Sequence, residues 1–145
     1  AMPRPKELAW QAPVYVVHSF PTNAAILTNP DVDAFIADAD YEVESVAATW
    51  TTAGDDGGTV SLDVKKTTGI QAPSAGASIL VAVFDLKAAA STVVRKDVQT
   101  ATLKARPLRT LRKGNRLSFD FVGTLATLTG LCVTIALKPL SRPKW

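Results

Sequence analysis

The stretch that decides the fold of this chain begins at Leu117-Ser118-Phe119-Asp120-Phe121 and resumes at Leu131-Cys132-Val133-Thr134-Ile135-Ala136-Leu137. In both runs large apolar residues alternate with small or polar ones, a period of two that is typical of β-strands with one buried face. The loop between them, residues 123–130, has a glycine at each end, which permits backbone angles that other residues resist. The pattern predicts two antiparallel strands joined by a loop, with seven large apolar side chains on one face: Leu117, Phe119, Phe121, Leu131, Val133, Ile135 and Leu137.

The rest of the chain continues this β pattern. Residues 14–20 form a predicted first strand, and 41–52 with 59–66 form a predicted hairpin across a loop rich in glycine and aspartate. Residues 78–86 are apolar on both faces and predict a central strand, and a further strand is expected from Asp97 onward. We count about eight strands separated by turn signals, a spacing that favours an all-β, antiparallel β-sandwich or barrel.

Prolines interrupt both ends of the sequence. We therefore predict an extended N-terminal arm over residues 1–13, a β-sandwich domain over 14–138 and a C-terminal arm over 139–145. Two of the three tryptophans, Trp10 and Trp145, lie in these arms. A tryptophan on an arm either folds back onto its own domain or anchors in a pocket of a partner.

Composition excludes several classes of protein. The chain has 145 residues and a single cysteine, Cys132, so an intramolecular disulfide and a multi-cysteine metal site are excluded. We expect Cys132 to be a small buried or half-buried side chain in its strand. No apolar run reaches the roughly 18 residues of a membrane span, and residues 1–6 lack the apolar core of a signal peptide.

Charge is distributed unevenly. Residues 31–63 hold nine acidic residues and no basic one, whereas residues 95–116 hold eight basic residues and one acidic one. Such asymmetry suits self-association or binding to a charged surface, and it equally fits two solvated edges of one sheet structure.

Motifs for catalysis are absent or weak. The single histidine, His18, lies in a predicted strand with no spacing that pairs it with a nucleophile, so we do not expect it to be catalytic. Asp38, Asp40, Glu42 and Glu44 would share one face of an extended strand, where a solvated surface is favoured over a calcium site. No phosphate-binding glycine loop is present, and the basic run around 106–116 lacks the interleaved aromatics of single-strand nucleic-acid binders.

Six segments resemble small structural proteins encoded by tailed bacteriophages. They are residues 35–43, 52–60, 67–73, 97–103, 114–121 and the Gly-Thr-Leu-x-x-Leu-x-Gly loop at 123–130. The group usually has Gly-Asp-Arg-Leu where this chain has Gly114-Asn115-Arg116-Leu117, a change that leaves the turn chemistry intact. The resemblance covers roughly residues 35–138 and is to capsid decoration or cement proteins of jelly-roll type.

The resemblance implies a non-enzymatic virion protein on the outer surface of a phage head, made in the host cytoplasm. The partners it implies are the major capsid protein and further copies of the chain, as a dimer or trimer, with no nucleic acid, membrane or cofactor. The alternative is a receptor- or glycan-binding module of a head fibre or tail; an enzyme is the third hypothesis. Contacts with capsid or neighbour are expected from the arms, at Pro3, Arg4, Lys6, Trp10, Arg142, Lys144 and Trp145.

Overall fold

A computed structural model describes residues 12–20, 31–54, 57–125 and 127–140 of the chain. Its longer strands are β1 (Val14–Ser19), β2 (Asp31–Ile36), β3 (Tyr41–Thr49), β4 (Ser61–Thr67), β7 (Val94–Asp97), β9 (Arg116–Val122) and β10 (Cys132–Pro139). Three two-residue strands are β5 (Ala77–Ser78), β6 (Phe84–Asp85) and β8 (Thr110–Leu111). A 3-10 turn at Pro73–Ala75 and one helical turn, α1 (Arg106–Arg109), complete the described elements.

The strands form two antiparallel sheets that pack as a sandwich. The first sheet has the order β1-β10-β3-β7, with β8 also paired to β3, and the second has the order β2-β9-β4-β5, with β6 also paired to β4. The first strand thus pairs with the last and the second with the last but one, while β1 to β4 alternate between the sheets. This is the strand order of a jelly roll, and it confirms the predicted all-β, antiparallel, jelly-roll-like sandwich.

The core lies between the sheets, and the seven apolar residues of the deciding stretch all contribute to it. None of them exposes more than 2% of its surface. Their two strands, β9 and β10, are not paired with each other, however, because β9 belongs to the second sheet and β10 to the first. The prediction of burial is therefore confirmed, and the prediction of a directly paired antiparallel couple is wrong.

One further pairing prediction is also wrong. The predicted hairpin of 41–52 with 59–66 does not form, since β3 pairs with β10, β7 and β8 while β4 pairs with β9, β5 and β6. The chain crosses between the sheets after Trp50, which is 1% exposed and donates its indole N–H to the carbonyl oxygen of Ala88 at 3.2 Å. The hairpin prediction was wrong because a period of two in neighbouring segments does not determine that they pair with each other.

The segment 78–86 is not a continuous central strand. Ile79 and Leu80 are adjacent and both buried, whereas Val81 is 62% exposed. Successive residues of a straight strand point to opposite faces, so the backbone must turn here, and the segment divides into β5 and β6 at the end of its sheet. The strand predicted from Asp97 onward is also wrong. The observed strand β7 lies before this point, and a turn follows Asp97.

Candidate protein-binding surface

The residues predicted to make contacts lie outside the described part of the chain. Residues 1–11 and 141–145 are not described, so the structure gives no positions for Pro3, Arg4, Lys6, Trp10, Arg142, Lys144 and Trp145. It does describe the places where these terminal segments join the sandwich.

Both terminal segments join the sandwich at one corner. Val14, the first residue of β1, faces Leu137 of the neighbouring antiparallel strand β10. Beyond that pair, the chain reaches Leu140, whose N–H donates to the carbonyl oxygen of Asp40 at 3.0 Å. Because the start of β1 and the end of β10 lie side by side, the two predicted arms begin next to each other, and we call this place the arm corner.

A shallow groove lies on the outer face of the first sheet beside the arm corner. It encloses about 400 Å³ and is lined by Pro13, Tyr15, Glu44, Ser45, Arg95, Ala136 and Lys138. Small residues form its floor, since Ala136 of β10 faces Ser45 of β3. Tyr15, which is 63% exposed, and the cations of Arg95 and Lys138 stand around that floor. This outer groove can accept an extended segment with one aromatic contact and charge-assisted hydrogen bonds.

A second groove, which we call the basic groove, lies next to the arm corner and has Leu140, the residue after β10, in its lining. It encloses about 550 Å³ and is lined by Lys66, Arg106, Pro107, Thr110, Arg112 and Leu140. Its lining carries three cations and no acid. The Lys66 ammonium is held in place by the carbonyl oxygens of Pro107 and Thr110, each at 3.2 Å. Arg106 and Arg112 also pair with Glu42 and Asp40 of the same chain, so only part of this positive charge is available to an acidic partner surface.

A buried ion pair positions the helical turn that forms this groove. Arg109 is 8% exposed and Glu42 is 6% exposed. The Arg109 guanidinium donates to the Glu42 carboxylate at 2.5 Å and to the carbonyl oxygen of Val43 at 3.0 Å. Arg106, on the outer side of the turn, lies 3.6 Å from the same carboxylate. The pair ties α1 to β3, so Arg106 and Pro107 are presented in a fixed orientation.

The acidic and basic segments of the sequence pair with each other inside the subunit. Among the described residues, ion pairs join Arg106 and Arg109 to Glu42, Arg112 to Asp40, and Arg116 to Asp33. The strand register explains this, since β8 and β9 of the basic segment pair with β3 and β2 of the acidic one. The asymmetry along the sequence does not by itself indicate a partner.

The four alternating carboxylates do not share one face. Asp38 accepts a hydrogen bond from the Tyr41 hydroxyl at 2.6 Å, which with burial raises the pKa of Tyr41 to about 12. Hydrogen bonds from the Arg112 side chain and the Lys113 N–H lower the pKa of Asp40. Glu42 is the buried partner of Arg109, and Glu44 lines the outer groove. The described residues contain no group of three or more candidate ligands for a metal ion.

His18 and Cys132 have structural environments. The His18 ring projects between the sheets, where Nε2 lies 2.8 Å from the carbonyl oxygen of Ala34 and the ring packs edge-on to Phe119 at 5.4 Å. This contact ties β1 of one sheet to the bulged part of β2 in the other. Cys132 is half-buried, as predicted, with its sulfur 3.9 Å from the Ser19 hydroxyl.

Sequence reasoning placed all contacts in the arms and missed the two grooves beside them. The signal for the outer groove was present in β1, where Tyr15 and Val17 occupy the outward positions that an ordinary solvated strand fills with polar residues. The signal for the basic groove was weaker, because α1 is a single helical turn in a proline-containing segment for which the sequence predicts either irregular structure or a short edge strand.

Among the described residues no helix is long and apolar enough to cross a membrane. No protein-family model matches the sequence, and the comparison with curated proteins gives no match. The fold is similar to that of a chain in the structure titled "Capsid of Ralstonia phage GP4", with a TM-score of 0.61 and 12% sequence identity. The similarity covers 90% of this chain and 86% of that one. At this identity, the similarity establishes a shared jelly-roll fold over nearly the whole of both chains.

Proposed function

We propose that this chain is a structural protein of a phage virion that binds the outside of the capsid and cements neighbouring capsomers. The observation that carries the proposal is the fold shared with a chain of a phage capsid structure over 90% of this sequence. A fold alone does not fix a function, since jelly rolls serve many roles. The proposal therefore also draws on the sequence motifs and on the geometry of the arm corner.

The arm corner suits a protein that acts by binding. In this proposal the two predicted arms, which begin next to each other at the arm corner, would each contact a different neighbouring capsid subunit. The outer and basic grooves on either side of the corner add surface for the same partners. One patch of the sandwich would thus face the capsid, while the rest faces solvent.

The stabilising effect follows from mass action. A protein that binds only the assembled shell lowers the free energy of the assembled state relative to the free capsomers. Several copies, each with two short arms, sum weak contacts through their high effective concentration on the shell. Catalysis and a cofactor have no part in this mechanism.

The test is co-sedimentation with capsids of the source phage that have been stripped of this protein. The wild-type chain is compared with a variant that lacks residues 1–10 and 141–145. Leu140 is retained because its N–H binds Asp40. We expect the wild-type chain to sediment with the shells, and we expect the truncated chain to lose binding while its thermal unfolding stays unchanged.

Two results would contradict this. Unchanged binding of the truncated chain would show that the arms do not make the contacts. Failure of the wild-type chain to bind any form of the shell, together with binding to a glycan array, would favour the receptor-binding module of a fibre or tail.

A further inference from the structure

The open edges of the two sheets differ in how they are protected against pairing with another chain. Proteins commonly shield an edge strand with charges, proline, a bulge or extreme shortness. β2 carries two aspartates and a register shift between Asp33 and Phe35. β7 has the sequence Val-Arg-Lys-Asp, and β5, β6 and β8 have two residues each. β1 has none of these devices: it is six residues long, Val-Tyr-Val-Val-His-Ser, and no register shift interrupts its ladder with β10.

The outward backbone groups of β1 can be identified from its ladder with β10. The N–H of Phe20 donates to the carbonyl oxygen of Leu131 at 2.8 Å, one step beyond the pair of Ser19 with Cys132. In an antiparallel ladder, alternate residues direct both backbone groups to the same neighbour. The backbone groups of Tyr15, Val17 and Ser19 therefore point away from β10. None of the backbone hydrogen bonds within the described ranges joins these three residues to another strand.

The side chains of this edge are also suited to an interface. Tyr15 and Val17 are 63% and 59% exposed on the outer face of the first sheet. The inward residues Val14, Val16 and His18 are partly buried, and His18 is fixed by the Ala34 carbonyl oxygen. Pro13, which has no N–H, ends the row of outward donors. The edge thus offers a short, uncharged template with defined ends.

We propose that β1 pairs antiparallel with β1 of a second copy of this chain, about a two-fold axis that passes beside Val17. In this register Val17 faces Val17 of the second copy, and Tyr15 faces its Ser19. Each facing pair exchanges two backbone hydrogen bonds, about six in all. The two first sheets then join into one continuous sheet.

A second copy fits this edge better than an unrelated strand does, because the register is self-complementary. A bulky tyrosine meets a small serine, valine meets valine, and no like charges face each other. A two-fold contact covers both exposed edges at once and closes the assembly at two subunits. It also places the two arm corners at opposite ends of the new pair, about 20 Å apart along the strands.

The interface does not depend on the capsid proposal and is tested on the full chain in solution. We expect the wild-type protein to have the mass of a dimer by light scattering or sedimentation at micromolar concentration. Val17→Lys would place two ammonium groups face to face at the axis, and we expect it to weaken the dimer by roughly tenfold or more. Val93→Lys is the matched control, since Val93 is 68% exposed and lies before β7, beyond the other end of the first sheet.

Cross-linking tests the register. In a Cys132→Ser background, Val17→Cys should form an intermolecular disulfide under mild oxidation, because facing residues of this type have Cα atoms about 5.5 Å apart. Tyr15→Cys alone should not cross-link, since the two copies of residue 15 are more than about 13 Å apart. A mixture of Tyr15→Cys with Ser19→Cys chains should cross-link.

Three outcomes would overturn the proposal. They are a monomeric or trimeric wild-type protein, a Val17→Lys variant that is folded by circular dichroism and still dimeric, and cross-linking of Tyr15→Cys as efficient as that of Val17→Cys. None of these outcomes bears on capsid binding through the arms, so the two proposals can fail separately.

Discussion

Replacing Arg109 by methionine should destabilise the sandwich more than the loss of any exposed ion pair. Arg109 and Glu42 are both more than nine-tenths buried, and the guanidinium also donates to the carbonyl oxygen of Val43. Removal of Arg109 leaves the buried Glu42 carboxylate with only the exposed Arg106 guanidinium 3.6 Å away, and the loss of a buried partner costs about 3–5 kcal/mol. For a chain of this size, we expect the unfolding temperature to fall by about 10 °C or more.

The structure supplies two controls for this prediction. Arg106→Met removes a cation 3.6 Å from the same carboxylate, but its side chain is 66% exposed. Exposed pairs contribute at most about 1 kcal/mol, so this variant should behave nearly as the wild type. The double variant Glu42→Leu with Arg109→Met removes both charges and should recover most of the lost stability, apart from about 1 kcal/mol for the Val43 carbonyl.

Urea unfolding monitored by circular dichroism measures the free energy of unfolding of each variant. We expect the slope of this free energy against urea concentration to stay constant. The reasoning would be refuted if Arg109→Met lowered the free energy of unfolding by no more than Arg106→Met does. It would mean that water reaches the Glu42 carboxylate in the folded protein and that the pair does not anchor α1.

Two further predictions concern the second sheet and its turns. Partial desolvation of the exposed Asp31, followed by the hydrogen bond and charge of Asp120, raises its pKa against the opposing charge of Lys65, so the folded chain holds that proton more tightly and loses stability as the pH rises through the pKa. Asp31→Asn should therefore unfold at a higher temperature than the wild type near about pH 7, and this difference in unfolding temperature should disappear towards about pH 4. A difference that does not change with pH would contradict a raised pKa of Asp31. Gly123 has φ +95°, and a Cβ there would lie 2.1 Å from the Thr59 carbonyl oxygen, so Gly123→Ala should cost at least about 2 kcal/mol in urea unfolding. Gly57→Ala, where nothing lies within 4 Å of the added carbon, should be close to neutral, and equal effects of the two alanines would contradict the steric argument.

The sequence predicts which residues face the core much better than it predicts which strands pair. All seven apolar residues of the deciding stretch are buried, and the turn expected at Gly114-Asn115 forms, with Gly114 at φ +91°. A period of two reports only that alternate side chains are buried. It carries no information about which of two stacked sheets a strand joins, and so the predicted pairings of β9 with β10 and of β3 with β4 were wrong.

Only part of the candidate binding surface can be predicted from the sequence, because the pattern within one strand does not show which strands become its neighbours. The arms are predicted from their prolines, but the proximity of the places where they begin depends on the pairing of Val14 with Leu137, residues far apart in the chain. Likewise, the basic run from Arg106 to Arg116 was visible, whereas its neutralisation by Asp33, Asp40 and Glu42 depends on long-range register. The burial of alternating residues within a strand was predicted, whereas contacts between strands far apart in the sequence were not.

The adjacency of the two arm attachments has a mechanical consequence. A force that pulls the arms apart acts at one end of the β1–β10 ladder, so it opens the hydrogen-bonded pairs one after another, beginning at Val14 and Leu137. A force that pulls both arms in the same direction moves β1 and β10 together, so it does not separate the pairs of this ladder. The sandwich should therefore yield at low force when its arms are drawn in opposite directions and resist when they are drawn together. The direction in which a load arrives would decide whether the subunit holds or unravels.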